Sequence, residues 1–346
     1  MSLRSIDWPD SPIVHACTAQ ASWGQLLLLT EDGALHGLDL DSGRSRQLAK
    51  LELPEPTAPT PYWPHGFKVH CALSGDHAVI ADDGGMFGVL VNLRTGEPAA
   101  QLFGGDYHPR TVPFSIAFTR HQGRDVLLHR TDWNRLDAMD CATGENLTER
   151  DGLEFGQPHY LDYFHGRLLP SPSQQWLLDD GWVWAPVGIP TVWSVPAWLD
   201  GNRWESEDGP TRRRIAQGEG WNQPCVWLDD ARIAIWNVGN WDDDGFADCM
   251  YAPGVVIFDI HVPRPDEGHS GQVWPMPDLP RAQHLHCVNG RLMVVGEGQS
   301  WLWNVDTRKQ LAHWPDFAPQ GWHEQRQQLL EWSAQQIKVV DAKNAF

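Results

Sequence analysis

Oxygen-bearing side chains crowd one short run of the chain, "NWDDDGFADCMYAPG" (240–254). Asn240, Asp242, Asp244 and Asp248 fall at positions 1, 3, 5 and 9 of the spacing with which a loop wraps a calcium ion, and the Phe246 carbonyl falls at position 7. Gly245 follows the third ligand, where such a loop turns sharply. Position 12 is Tyr251, where a tight site places a bidentate glutamate, so the run predicts at most a weak calcium site of the ~10⁻⁴–10⁻³ M class. The same acid-glycine signature recurs at Glu31-Asp32-Gly33, Asp82-Asp83-Gly84 and Asp179-Asp180-Gly181. Asp before Gly is ordinary turn chemistry, because both residues tolerate left-handed backbone. Asp243-Asp244-Gly245 then reads as one more hairpin turn with an insertion behind it, and that reading outweighs calcium.

Histidine supplies the other candidate chemistry. His15, His70, His284 and His286 sit in short apolar segments such as "VHACTA" and "QHLHCV". Residues two apart on a strand face the same way, so His284 and His286 could share a metal ion and serve a metal-dependent hydrolase or lyase. The plain alternative is imidazoles bonded to backbone carbonyls or water. No H-E-x-x-H, G-x-S-x-G, phosphate-cradling glycine loop or zinc-type cysteine spacing accompanies them. No catalytic residue is assigned and no cofactor is expected beyond the weak calcium.

The elements that would position these residues are hairpins. An apolar run, a short acidic or glycine turn, a second apolar run and a closing Asp, Asn or Ser recur seven times, most clearly in "LLLLTEDGALHGLDLDSG" (26–43) and "LMVVGEGQSWLWNVDTR" (292–308). The closing residues are Asp39, Asn92, Asp140, Ser194, Asp259, Asn304 and Asp341. Most of their separations lie near the ~40–50 residues of a four-stranded propeller blade. The segments "VHACTA", "KVHCALS", "FSIAFT" and "QHLHCV" supply first strands. The pattern predicts an all-β, seven-bladed β-propeller of four-stranded antiparallel blades in a single domain over 1–346. Residues 196–210 form an insertion in blade 4, and 240–254 an extended hairpin loop in blade 5. The segment "HEQRQQLLEWSAQQ" (323–336) has helical composition, yet it aligns with blade 1 position for position and is read as strand. The N-terminal "RSIDW" is expected to complete the last blade, since an unpaired edge is a liability.

The motifs "LWNVDTRKQLAHW" (302–314) and "LLPSPSQQWLLDDGWVW" (168–184) resemble blades of the tryptophan–aspartate repeat propellers. The likeness extends over essentially the whole chain at the level of fold, while the full Gly-His and Trp-Asp signature is missing from most blades. The single run 240–254 is similar to the calcium repeats of integrin-type propellers. In tryptophan–aspartate propellers the hairpins between second and third strands share one face. That resemblance implies a face gathering Asp32, Asp82, Asp83, Asp132, Asp179, Asp180 and Asp243, with Trp133, Trp182 and Trp241 beside them. Such a face suits a non-catalytic platform for a basic protein partner, because charge steers the encounter and aromatics carry most of the energy. The competing enzyme reading places its site in the central channel.

Composition narrows the partners. The 346 residues carry 26 basic and 45 acidic side chains, a net charge of −19, which repels phosphate backbones and anionic lipid. No nucleic acid and no membrane is expected as a partner, and the chain is expected to be monomeric. No apolar run approaches the ~18 residues of a membrane span, and "MSLRSIDWPD" lacks the apolar core of an export signal. None of the six cysteines forms a C-x-x-C pair, and Cys17, Cys71, Cys225 and Cys287, inside apolar segments, read as reduced core residues of a cytoplasmic protein.

Overall fold

The four leucines Leu26 to Leu29 show how the sequence dictates the packing. A strand buried on one face alternates apolar and polar residues, whereas one covered on both faces is apolar throughout. Leu26 and Leu28 pack with Ile13, Leu330 and Val339. Leu27 and Leu29 point the other way, against Val69, Ile80 and Val91. Each fully buried leucine contributes ~1.5–3 kcal/mol. The middle strand of a blade is thus the partner of both neighbouring blades.

This computed structural model describes residues 3–55, 66–151, 154–184, 187–218, 221–236, 253–263 and 271–342. The described strands form seven antiparallel sheets of sequential strands, and the chain is a seven-bladed β-propeller. Its contacts group into two units. The first, Met1–Glu149 with Pro319–Phe346, holds blades 1, 2, 3 and 7. The second, Arg150–Ala318, holds blades 4, 5 and 6.

Blade 1 comprises Ile13–Ala21, Gly24–Thr30, Ala34–Leu38 and Ser45–Lys50. Blade 2 comprises Phe67–Cys71, His77–Asp82, Phe87–Asn92 and Glu97–Phe103. Blade 7 is built from Gly321–His323, Gln328–Trp332 and Gln336–Asp341, and its outer strand is the N-terminal Leu3–Asp7, paired Leu3 to Val340 and Asp7 to Gln336. Both expectations for this blade hold: the N-terminus completes it, and 328–332 is strand despite its helical composition.

Blade 3 departs from four full strands. Ile116–His121, Arg124–Asp132 and Arg135–Asp140 form a three-stranded sheet, and the outer position shrinks to a bridge between Met139 and Asn146. The hydroxyl of Thr148 explains the truncation. It accepts from Ala138 N at 2.9 Å and donates to Asp137 at 3.2 Å, taking the place of strand partners.

The closing polar residue of the hairpins has a physical reason. Asp39, Asn92, Asp140, Asp259 and Asn304 each accept, through Oδ1, a backbone N–H two or three residues on, at 2.8–3.3 Å. Such Asx turns launch the outer strand. In blades 1, 2 and 3 the turn ends on Gly43, Gly96 and Gly144, at φ of 68°, 80° and 74°, where a side chain would be strained.

The blade 4 insertion is not a solvated loop. Between Val187–Ser194 and Arg213–Arg214 lie the helices Val195–Asp200 and Glu205–Asp208. Glu205 is fully buried and accepts from Thr211 N and Oγ1 at 2.8 and 2.5 Å. Glu207 pairs with the buried Arg150. The acids of "ESED" thus anchor the insertion.

Candidate functional site

The acid-glycine runs that look alike in sequence fold differently. Glu31-Asp32-Gly33 is a true hairpin turn, with Gly33 at φ 78° donating to Thr30 O at 2.9 Å. Asp32 is exposed and bridges to Lys50 at 2.6 Å. The Lys50 ammonium, helped by the Thr30 hydroxyl, holds the Asp32 carboxyl well below the usual carboxylate range. Asp82 and Asp83 are buried, and Asp83 pairs with Lys68 at 2.5 Å.

Asp179, Asp180 and Trp182 correct the expectation most sharply. Asp179-Asp180-Gly181 lies mid-strand in Trp176–Val183, registered against Thr191, Pro190 and Ile189, with all three predicted contact residues buried. Asp179 accepts from His165 Nδ1 at 2.6 Å and from Gly166 N at 2.9 Å. The Tyr163 hydroxyl lies against the same strand, accepting from Gly181 N at 3.0 Å. A Cβ on Gly181 would fall 2.1 Å from the Tyr163 ring, so this glycine makes room for a side chain and does not turn the backbone.

Asp180 is fully enclosed, and burial, aided by the neighbouring Asp179, pushes its carboxyl up to about 7 against the pull of Arg167. Its Oδ2 stands 3.8 Å from Arg167, whose guanidinium is turned to Gln223 O at 2.6 Å. His165 and Asp179 resemble an acid–base pair, but both side chains are 0% exposed. No substrate reaches them, so the pair ties the strand Phe164–Pro170 to its neighbour.

The predicted residues Asp132 and Trp133 lie at the rim of blades 2 and 3, and there the structure supplies companions that the sequence reading missed. Phe87 and Phe103 are directly opposed across the outer two strands of blade 2, with ring centroids 5.4 Å apart. They are 55% and 48% exposed. The chain runs on from Phe103 through Gly104, Gly105 and the exposed Asp106 to Tyr107, 46% exposed. The Tyr107 ring lies 5.1 Å from Trp133 and 4.6 Å from His108. Asp132 is exposed beside them and accepts from Trp133 N at 2.7 Å.

A buried arginine forms the floor of this rim. Arg130 donates to Gly85 O at 3.1 Å, and its guanidinium sits 5.2 Å from the Phe114 ring centroid. Burial pushes it down to about 10. A Cβ on Gly104 would come 2.4 Å from Phe114 and 2.8 Å from Arg130, and one on Gly105 would come 2.5 Å from Asp132. The paired glycines let the connection lie flat on the arginine and carry Tyr107 out to Trp133. The detectable sequence signal was "GGDYH" after a strand ending in Phe.

The remaining candidates separate. The proposed calcium ligands Asn240, Asp242, Asp244 and Asp248, and the predicted contact residues Trp241 and Asp243, lie outside the described residues. His284 and His286 stack with centroids 6.2 Å apart. His15 accepts from Val69 N at 3.2 Å, and burial pushes His70 down to about 4. Among the described residues no group of three His, Cys, Asp or Glu side chains could hold a metal ion. Among them, too, no helix is long and apolar enough to cross a membrane.

No protein-family model matches the chain, and no curated protein matches it in sequence. In structure it is similar to BamB from Moraxella catarrhalis, whose crystal structure superposes with a TM-score of 0.55 at 16% identity. The match covers 95% of this chain and 85% of that one. At that identity the likeness speaks for the propeller fold alone.

Proposed function

We propose that the protein is a non-catalytic platform, cytoplasmic and monomeric, that docks a basic protein partner on the rim of blades 2 and 3. The observation that carries this reading is the cluster of exposed aromatics Phe87, Phe103 and Tyr107 beside Trp133. Isolated exposed apolar residues are ordinary, but two aromatic pairs, Phe87 with Phe103 and Tyr107 with Trp133, joined by the stretch 103–107 beside polar groups, suit an interaction surface. Tyr and Trp are the side chains most often found at binding hot spots. The acids Asp106 and Asp132 flank the patch, and Arg110 is the single basic residue in the connection 104–115. With −19 on the chain as a whole, the complementary partner presents lysine or arginine around an apolar anchor.

This reading moves the contact away from the ring of acidic tips. Asp32 and Asp83 are paired to lysines within their own blades, and Asp179, Asp180 and Trp182 are enclosed. A photo-crosslinking residue placed at position 107, with a control at the exposed Asp306, tests it in the producing cells. A protein with a basic surface joined at 107 and not at 306 supports the platform. Equal labelling at both positions, or none at 107, would overturn it.

A further inference from the structure

Two of the six cysteines, expected to be unrelated core residues, meet. Cys17 lies on the first strand of blade 1, Ile13–Ala21, and Cys71 ends the first strand of blade 2, Phe67–Cys71. Val69 N donates to His15 Nδ1 at 3.2 Å, which sets the strands side by side two residues before each cysteine. The same step of two along both strands brings Cys17 beside Cys71. The neighbouring Cys71 thiol is the largest cause of the upward shift of Cys17. Cys71 Sγ donates to Ala72 O at 3.4 Å. Both cysteines pack against the apolar cluster of Leu27, Leu29, Val69 and Ala78, and both are partly exposed.

We propose that Cys17 and Cys71 are a redox pair that a peroxide closes into a disulfide, clipping blade 1 to blade 2. In the proposed sequence Cys71 attacks first, and the Cys17 thiol, pushed well up by its contact with Cys71 and then by burial, follows. The Cys71 thiolate attacks one peroxide oxygen, the O–O bond breaks, and the departing hydroxide takes the thiol's proton as water. The sulfur of Cys17 then attacks the Cys71 sulfenic acid. The S–O bond breaks, and the hydroxyl leaves with the Cys17 proton as a second water. Two thiols lose two electrons and two protons, and the peroxide is reduced to two waters.

The test is to oxidise the full chain with hydrogen peroxide, unfold it and count thiols, then map it with trypsin. The expected result is loss of two of the six thiols and a linked pair of peptides spanning 5–44 and 69–94, reversed by dithiothreitol. Cys17→Ser should retain Cys71 as a sulfenic acid trapped by dimedone, while Cys141→Ser should still lose the same two thiols. The wild-type map stands alone should Cys17→Ser fold poorly. Six intact thiols, oxygen added to separate cysteines without a link, or a disulfide joining another pair would overturn the proposal.

Discussion

Blade 1 and blade 4 carry the same three-letter signature, acid-acid-glycine, and use it in opposite ways. At Glu31-Asp32-Gly33 the glycine is at φ 78° and the acid faces water beside Lys50. At Asp179-Asp180-Gly181 the glycine lies mid-strand under the Tyr163 ring, and both acids are enclosed. The difference comes from the neighbour, since in blade 4 the Tyr163 ring fills the space a Gly181 side chain would take and His165 holds Asp179. A local motif sets which backbone conformations are possible, and the packed partner decides which one forms.

The largest effect expected from breaking this contrast is on Asp179. Asp179→Ala removes the acceptor of His165 Nδ1 and Gly166 N and leaves an uncompensated buried group, costing ~3–5 kcal/mol. Asp32→Ala removes one exposed pair and costs within ~1 kcal/mol. Urea unfolding of the two variants checks both, and equal costs would erase the distinction.

Arg130→Met comes next. It keeps the stem but strips the donor to Gly85 O, leaving that carbonyl without the hydrogen bond, for a loss of ~1–3 kcal/mol. Its more telling consequence is local: amide exchange in 103–107 should quicken while that in blade 4 stays unchanged.

The pH response of Asp180 is smaller and has a definite sign. Its folded carboxyl lies at about 7, above its ordinary 3.8, so the folded state holds the proton more tightly. Stability therefore falls as pH rises from 3.8 towards about 7, and the cost is fully present above that. Asp180→Asn should gain on wild type at pH 8 and not at pH 4, measured as midpoints of denaturant unfolding. A variant that parallels wild type across the range would show Asp180 to be ionised throughout.

Smallest in stability is the aromatic rim. Phe87→Ala and Tyr107→Ala remove side chains already half in water and should shift unfolding by less than ~1 kcal/mol, as surface substitutions do.

The fold was legible because it is written seven times. Leu26 to Leu29, Asp39 with Gly43, and Asp140 with Gly144 each state a both-faces-buried strand or an Asx turn without outside help. The site was less legible. Asp132 and Trp133 stood out as turn residues, but Phe87 and Phe103 read simply as strand, and only their place on the outer two strands of blade 2 exposes them. Asp179 and Asp180 misled because the ring of Tyr163, sixteen residues earlier, decides their fate. The truncated outer strand of blade 3 was hidden for the same reason, since it depends on one hydroxyl, that of Thr148.

The measurement closest to the central claim is a binding isotherm for the partner captured at position 107, comparing wild type with Tyr107→Ala/Trp133→Ala at low and high salt. The account predicts a loss of ~30-fold or more at both salt concentrations, the ~2 kcal/mol of an aromatic hot spot. Asp106→Asn/Asp132→Asn should weaken binding at low salt alone. Unchanged affinity in the aromatic double variant, folded as wild type, would contradict the account and return the search to other surfaces of the propeller.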